Sequence, residues 1–431
     1  MTAKGLLVAV LAAALLGSAC AGTSGEQVAT DGSTTTSTSS TTTTTRAPDC
    51  ASTLPTAGQV AQLLMVMVPD PTNAGEATET GLVSGFGLKG NQRSDVAGAI
   101  SAVTEEAVLP SLVAVDEEGG TVQRLRYSAG RLPSAEEMAE GTPEEAAEMF
   151  RSHAQRMAEM GVTMNFAPVA DVGDGGGLES RTYGEDPATV GEFAAAVTAA
   201  NLDGGIVPVV KHWPGIGSAP EDPHDSLPTI DPIDQLRATD MVPFRAAFDA
   251  GAPAVMVAHA EVPGLTAEGE PASLSRAAIT DELRGSEGFD GVVITDSLGM
   301  GAIVNSYSQA EAAELALAAG ADIALLSGPD VVEEAHERLV EAAEAGRIPA
   351  DQLEASVRRV LAMRGVEGEC FDAVSAYAAT AREEAERLAE ENAEEELPAA
   401  SESESDSSSG SSSTSTTTST TVRDTDINDP G

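Results

Sequence analysis

Eight short runs rich in β-branched residues constrain this chain more than any other feature. They are "LLMVMV" (63–68), "LVSGFGL" (82–88), "SLVAVD" (111–116), "VTMNFAP" (162–168), "IVPVVKH" (206–212), "AVMVAHA" (254–260), "GVVITD" (291–296) and "DIALLS" (322–327). Between them lie alanine- and glutamate-rich segments such as "TPEEAAEMFRSHAQRMAEMG" and "SQAEAAELALAAG", with apolar residues at helical spacing and glycine at the C-terminal end. Strands alternating with helices argue for a parallel sheet. Eight such units predict an α/β fold, a single-domain (β/α)8 TIM-type barrel over residues 50–371, with an open doubly wound sheet as the alternative. In such a barrel the polar residues at the C-terminal ends of the strands converge on one mouth, here Asp116, Glu117, Asp171, Lys211, His212, His259 and Asp296.

Both ends of the chain look like attachments to that body. Residues 1–19 carry one positive charge at Lys4 and then "GLLVAVLAAALLGSA" before Cys20, a pattern similar to a bacterial lipoprotein signal peptide. Cleavage before Cys20 would expose it to lipidation and anchor the protein on the outer face of the cell membrane. Gly17 stands where such signals usually have leucine, and an ordinary secretory signal is the alternative. Residues 20–49, with "GSTTTSTSSTTTTT", hold too few apolar groups to offset the entropy of ordering and read as a linker. Residues 372–431 form an acidic, Ser/Thr-rich low-complexity tail. Cys50 and Cys370 stand at the two borders of the folded region and are a candidate disulfide in an exported protein, two free thiols being the other possibility.

The formal net charge of −46 argues against a nucleic-acid partner, and 42% hydrophobic residues are enough to build a core. The chain uses lysine at only three positions, Lys4, Lys89 and Lys211, so the lysine of "KHWPGIGSAPEDPHDSLP" (211–228) is a marked choice. That segment also holds the only tryptophan and two of the five histidines, on a stretch too rich in glycine and proline for a regular helix. It begins at the end of the fifth strand and continues as a loop over the mouth.

Three constellations carry chemistry. Asp296 ends a buried run and needs cationic partners, available from Arg124, Arg181 and Lys211; capping the following helix is its bland alternative. His224 follows Asp222 by two residues in "DPHD", a spacing that lets a carboxylate orient an imidazole and support its protonated form, as a general acid/base requires. Metal binding competes for the same residues, but no second histidine stands at ligand spacing, so neither a metal nor a cofactor is expected. "DEEGGTVQRL" (116–125) and "ESRTYGEDP" (179–187) offer Asp116, Arg124 and Arg181 for hydrogen bonds to sugar hydroxyls.

Taken in order, "DEEGG-x-VQR", "NFAPVADV", "SRTYGEDP", "KHWPGxG" followed by "DxH", "MVAHAEVP" and "VITDSLGM" resemble family 3 glycoside hydrolases, and among them the single-barrel β-N-acetylglucosaminidases. The resemblance implies that Asp296 is the nucleophile, His224 the general acid/base and Asp222 its partner. It further implies that Asp116, Arg124, Arg181, Lys211 and His212 bind the terminal N-acetylglucosamine. Two positions depart from the family pattern: Ile216, where histidine is usual, and Pro223, where serine is usual. The implied protein is a monomeric, retaining β-N-acetylhexosaminidase acting on cell-wall glycan fragments. A phosphorylase using the same site and a non-catalytic glycan-binding lipoprotein are the competing functions.

Overall fold

A computed structural model of the chain describes residues 50–366. The expected signal segment and linker and the acidic tail lie outside the described residues, as do Cys20 and Cys370. All eight expected strands form: β1 (Leu64–Val68), β2 (Gly85–Leu88), β3 (Leu112–Val115), β4 (Met164–Asn165), β5 (Val207–Trp213), β6 (Ala254–Val257), β7 (Val292–Thr295) and β8 (Ala324–Ser327). Neighbours pair in parallel and in chain order from β1 to β7, and β8 returns to pair with β1 through Leu64 to Met67 against Ala324 to Ser327. The β7–β8 seam is narrower. It is closed by a bridge between Ile294 and Ile323 and by the Thr295 N–H donating to the Ile323 carbonyl at 3.0 Å. A sheet whose last strand pairs with its first is a barrel, and the doubly wound alternative is excluded.

Local signals set the helices. Pro143–Glu159 starts with Thr142 and Glu145 capping one another reciprocally and with proline at the first turn, and Gln309–Ala319 starts with the same box from Ser308 and Glu311. The latter stops at Gly320, whose φ of 113° is the left-handed conformation glycine reaches without a Cβ penalty. The strand side chains are buried almost throughout, because helices cover the barrel outside and side chains fill it inside.

The fourth run is the one most shortened relative to expectation, from seven residues to Met164–Asn165. Pro168 has no N–H for a ladder and can offer only its carbonyl, which accepts from Lys211 N at 3.0 Å; pairing resumes as a single bridge from Val169 to Lys211. This irregular edge brings Asp171 beside the end of β5. The peptide bonds Ala167–Pro168, Lys211–His212 and Trp213–Pro214 are cis.

Candidate active site

At the C-terminal face of the barrel a cavity of about 450 Å³ opens. Its wall includes Asp116, Arg124, Arg181, Lys211, His212, His224 and Asp296, so seven of the eight residues expected to carry chemistry meet in one place. Asp222 stands behind the wall, holding His224.

The floor is an ion-pair lattice. Lys211 Nζ lies 2.6 Å from Asp116 Oδ1 and 2.6 Å from Glu118 Oε1, and Arg181 makes a two-pronged pair with Glu118 at 2.8 and 2.9 Å. Arg124 approaches the other Asp116 oxygen at 3.6 Å. Burial alone would push the Glu118 carboxyl up, but Arg181 and Lys211 overcome that and hold it well below the usual carboxylate range. Lys211 is the mirror case. Burial pulls its ammonium down, and Asp116 with Glu118 more than reverses the effect and holds it above its ordinary value. Donors and acceptors of fixed charge thus alternate across the floor of the cavity.

Glu118 is the floor residue that sequence reasoning missed, and Glu117 the one it misplaced. Successive side chains of an extended segment point to opposite sides, so Asp116 and Glu118 share the mouth while Glu117 turns away from it. Glu117 is fully buried beneath the small hairpin of Glu117–Gly119 and Val122–Gln123, 3.0 Å from both His153 Nε2 and Gln123 Nε2. The alternation in "DEEGG" was the available signal.

His212, next on β5, is oriented from behind. Asp171 Oδ2 lies 2.7 Å from its Nδ1 and accepts its backbone N–H at 3.2 Å, while Asp171 Oδ1 accepts the Ile216 N–H at 2.8 Å. Ile216 therefore serves this turn through its backbone, and its side chain is buried in the core, which is how the departure from histidine is absorbed.

Asp296 follows the last residue of β7, with its backbone N–H bonded to the Val257 carbonyl at 3.0 Å. Its Oδ1 accepts the Ser297 N–H at 2.7 Å. It caps no helix: Gly301–Val304, the next one, has Met300 at its N-cap position. Burial would raise the Asp296 pKa, but the rings of His212 and His259, the Ser297 N–H and the Lys211 ammonium outweigh it and leave the carboxyl below its ordinary value. The expected help from Arg124 and Arg181 is replaced by these groups, since the two guanidiniums face Asp116 and Glu118. His259 is buried, with Nδ1 2.7 Å from Ser273 Oγ and Nε2 2.9 Å from the Ser297 carbonyl. Burial holds its pKa below the usual imidazole value.

His224 sits on a tight turn, Asp222 to Asp225, with proline at the second position where its fixed φ is favoured. Asp222 Oδ1 accepts the His224 N–H at 2.9 Å and lies 2.8 Å from His224 Nδ1. One carboxylate oxygen thus sets both the backbone and the ring, and with Nδ1–H donating, Nε2 is left for a substrate. The turn is docked onto the segment after β7. Gly301 N and Ala302 N donate to the carbonyls of His224 and Pro223 at 2.9 and 3.0 Å, and Asn305 Nδ2 donates to the Asp225 carbonyl at 3.0 Å. A Cβ on Gly301 would lie 2.5 Å from the His224 carbonyl oxygen, so this docking requires glycine there. Pro223 is buried in the contact rather than projecting from it.

Residues 56–363 match the glycosyl hydrolase family 3 N terminal domain. A β-hexosaminidase of Mycobacterium tuberculosis, LpqI, is 38% identical over 326 residues, covering 72% of this chain and 83% of the relative. Among solved structures, a family 3 glycosyl hydrolase from Mycobacterium smegmatis superposes with a TM-score of 0.70 at 38% identity, covering 74% of this chain and 99% of that one. A β-N-acetylhexosaminidase from Beutenbergia cavernae gives 0.66 at 30% identity, with 73% and 99% covered. Fold, pocket and these likenesses agree, and the chain belongs to glycosyl hydrolase family 3.

Proposed function

We propose that this family 3 hydrolase removes terminal β-linked N-acetylglucosamine from cell-wall glycan fragments by a retaining, two-step mechanism. The observation that carries the reading is the meeting, in one pocket, of an ionised strand-end carboxylate, Asp296, with an imidazole held by its own carboxylate, His224 on Asp222. Asp296 attacks the anomeric carbon as the glycosidic bond breaks, and His224 delivers its proton to the departing oxygen. The product is a glycosyl ester on Asp296. His224, now neutral, takes a proton from water as that water attacks the same carbon, releasing the sugar with retained configuration and restoring both groups. An imidazole suits this exchange because one ring nitrogen can donate a proton in one step and accept one in the next while the other stays bonded to its carboxylate. Asp116, Arg124, Arg181, Lys211 and His212 hold the hydroxyls of the terminal sugar, with Glu118 fixing the two cations beside it.

The peptidoglycan substrate and export with a lipid anchor at Cys20 are part of the same proposal; the apolar segment before Cys20 supports export and anchoring, and the β-hexosaminidase relative supports an N-acetylhexosamine as the group removed. Release of p-nitrophenol from the β-N-acetylglucosaminide and from the β-glucoside, by the protein and by its Asp296→Ala variant, tests the reading. Turnover of the N-acetylated compound, lost on substitution, is the expected result. A folded protein that binds N-acetylglucosamine but turns over neither compound would overturn it, and N-acetylglucosamine 1-phosphate formed in the presence of phosphate would replace hydrolysis by phosphorolysis.

A further inference from the structure

Every other cationic side chain lining the pocket faces a carboxylate. Arg124 and Lys211 meet Asp116, Lys211 and Arg181 meet Glu118, His212 meets Asp171 and His224 meets Asp222. Lys89, at the end of β2, lines the same cavity with no carboxylate in ion-pair range among the described residues. Its backbone is firmly placed: Lys89 N donates to the Val68 carbonyl at 3.0 Å, and the buried Gln92 carboxamide donates to the carbonyls of Pro69 and Lys89 at 3.0 and 2.9 Å. Two residues earlier, a Cβ on Gly87 would meet Met67 Sδ and Phe166, both of which also line the cavity. Alternation along the strand then turns Lys89 to the same interior side.

This placement is unusual for the chain. Only three of its 23 cationic residues are lysine, and the two within residues 50–366, Lys89 and Lys211, both line this one pocket. A formal net charge of −46 repels an anionic substrate, and an ammonium at the mouth without a counter-ion offsets that repulsion where it matters. The terminal sugar of the proposed reaction is neutral. A negative charge for Lys89 must therefore arrive on the group beyond the scissile bond.

We infer that Lys89 receives a carboxylate on the leaving group and so selects acidic aglycones over neutral ones of the same shape. The inference rests on the hydrolase reading above and names the substrate class of that site. Lys89 is half-buried, open enough to meet such a group while shielded enough for a charge-assisted hydrogen bond to count.

The test compares N-acetylglucosamine β-linked to N-acetylmuramic acid with the methyl ester of the same disaccharide. The ratio of kcat/KM for acid over ester is measured for the protein, Lys89→Met and Lys89→Arg, at low and high salt. The acid is expected to be favoured by about tenfold, the size of a hydrogen bond to a charged group. Lys89→Met abolishes that preference, Lys89→Arg keeps most of it, and salt shrinks it. An unchanged ratio in Lys89→Met overturns the inference. So does phosphate that competes with the acid in a Lys89-dependent way while N-acetylglucosamine 1-phosphate appears, because the cation would then serve the phosphate. Calorimetric binding of the two disaccharides to Asp296→Asn, with and without Lys89→Met, reads the same ratio without turnover. A protein that cleaves the p-nitrophenyl compound but shows no preference for the acid overturns this inference alone. Lys89-dependent binding of the acid without cleavage of any compound overturns the hydrolase reading and, with it, the leaving-group role of Lys89.

Discussion

The floor of the pocket and the His224 turn are built on opposite principles. The floor side chains are buried and held by charge: Lys211 and Glu118 each expose 3% of the side chain, and each faces two partners of opposite sign. The turn is open to solvent, with the His224 and Asp222 side chains 44% and 38% exposed, and is held by three hydrogen bonds to Gly301, Ala302 and Asn305. The floor has to be correct before a substrate arrives, since a lattice of buried charges cannot rearrange cheaply. In the proposed mechanism the turn carries the group that changes protonation twice in each cycle, and its exposure suits exchange of protons and water. Substitutions in the floor should therefore damage folding and binding together, whereas substitutions in the turn should reach the rate alone.

The largest expected effect comes from breaking the lattice. Lys211→Met leaves Asp116 and Glu118 facing one another with one cation fewer, and should cost about 3–5 kcal/mol in chemical denaturation, the size of an orphaned buried charge pair. A loss below about 1 kcal/mol would mean that the floor is no more rigid than the turn. His224→Ala should lower kcat for an unactivated disaccharide by about 10²- to 10⁴-fold while stability stays within about 0.5 kcal/mol. Equal losses of rate and stability would erase the contrast.

Behind the floor, Asp240 packs against Gly215 of the turn after β5. Burial is the main reason its pKa rises from 3.8 to about 6, with the nearby Asp171 adding to the rise against a hydrogen bond from Thr239. The unfolded chain releases this proton at lower pH than the folded one, so stability is lost as pH rises from about 4 to about 6 and stays lost above. Asp240→Asn should thus leave stability unchanged near pH 4 and raise it by about 2 kcal/mol at pH 7, read as a pH-dependent gain in Tm. A gain that is flat across this range would remove the carboxyl as its source. The smallest effect belongs to the edge of the turn. Asn305→Ala deletes one exposed bond to the Asp225 carbonyl and should reduce kcat by about threefold to tenfold with KM for the p-nitrophenyl compound little changed, as expected for about 1 kcal/mol of docking. A rise in KM alone would place Asn305 in binding instead.

The same division explains what could be read in the chain beforehand. Strands were legible because residues such as Val113 and Ile294 are apolar whichever side they face, and the barrel followed from counting them. Asp296, Lys211 and His212 were legible because strand ends in a barrel share one mouth. Glu118 and the partnership of Asp171 with His212 were not, because both depend on which way a side chain points once the strand has ended. The docking of the His224 turn was hidden for a different reason: two of its three contacts use backbone N–H groups, which every residue but proline carries. Pro223 stood out in the sequence only as a departure from serine, and its position in the turn shows a residue suited to a type I geometry and buried against the next segment.

The central claim is that Asp296 forms a covalent bond to the sugar. On that claim His224→Ala should slow release from the ester more than its formation when the leaving group is as good as p-nitrophenolate. The protein carrying this substitution, quenched in acid during turnover of p-nitrophenyl β-N-acetylglucosaminide and digested, should yield the peptide containing Asp296 heavier by one N-acetylhexosaminyl group in its mass spectrum. Full turnover with the peptide unmodified, or the added mass on a different carboxylate, would contradict the account.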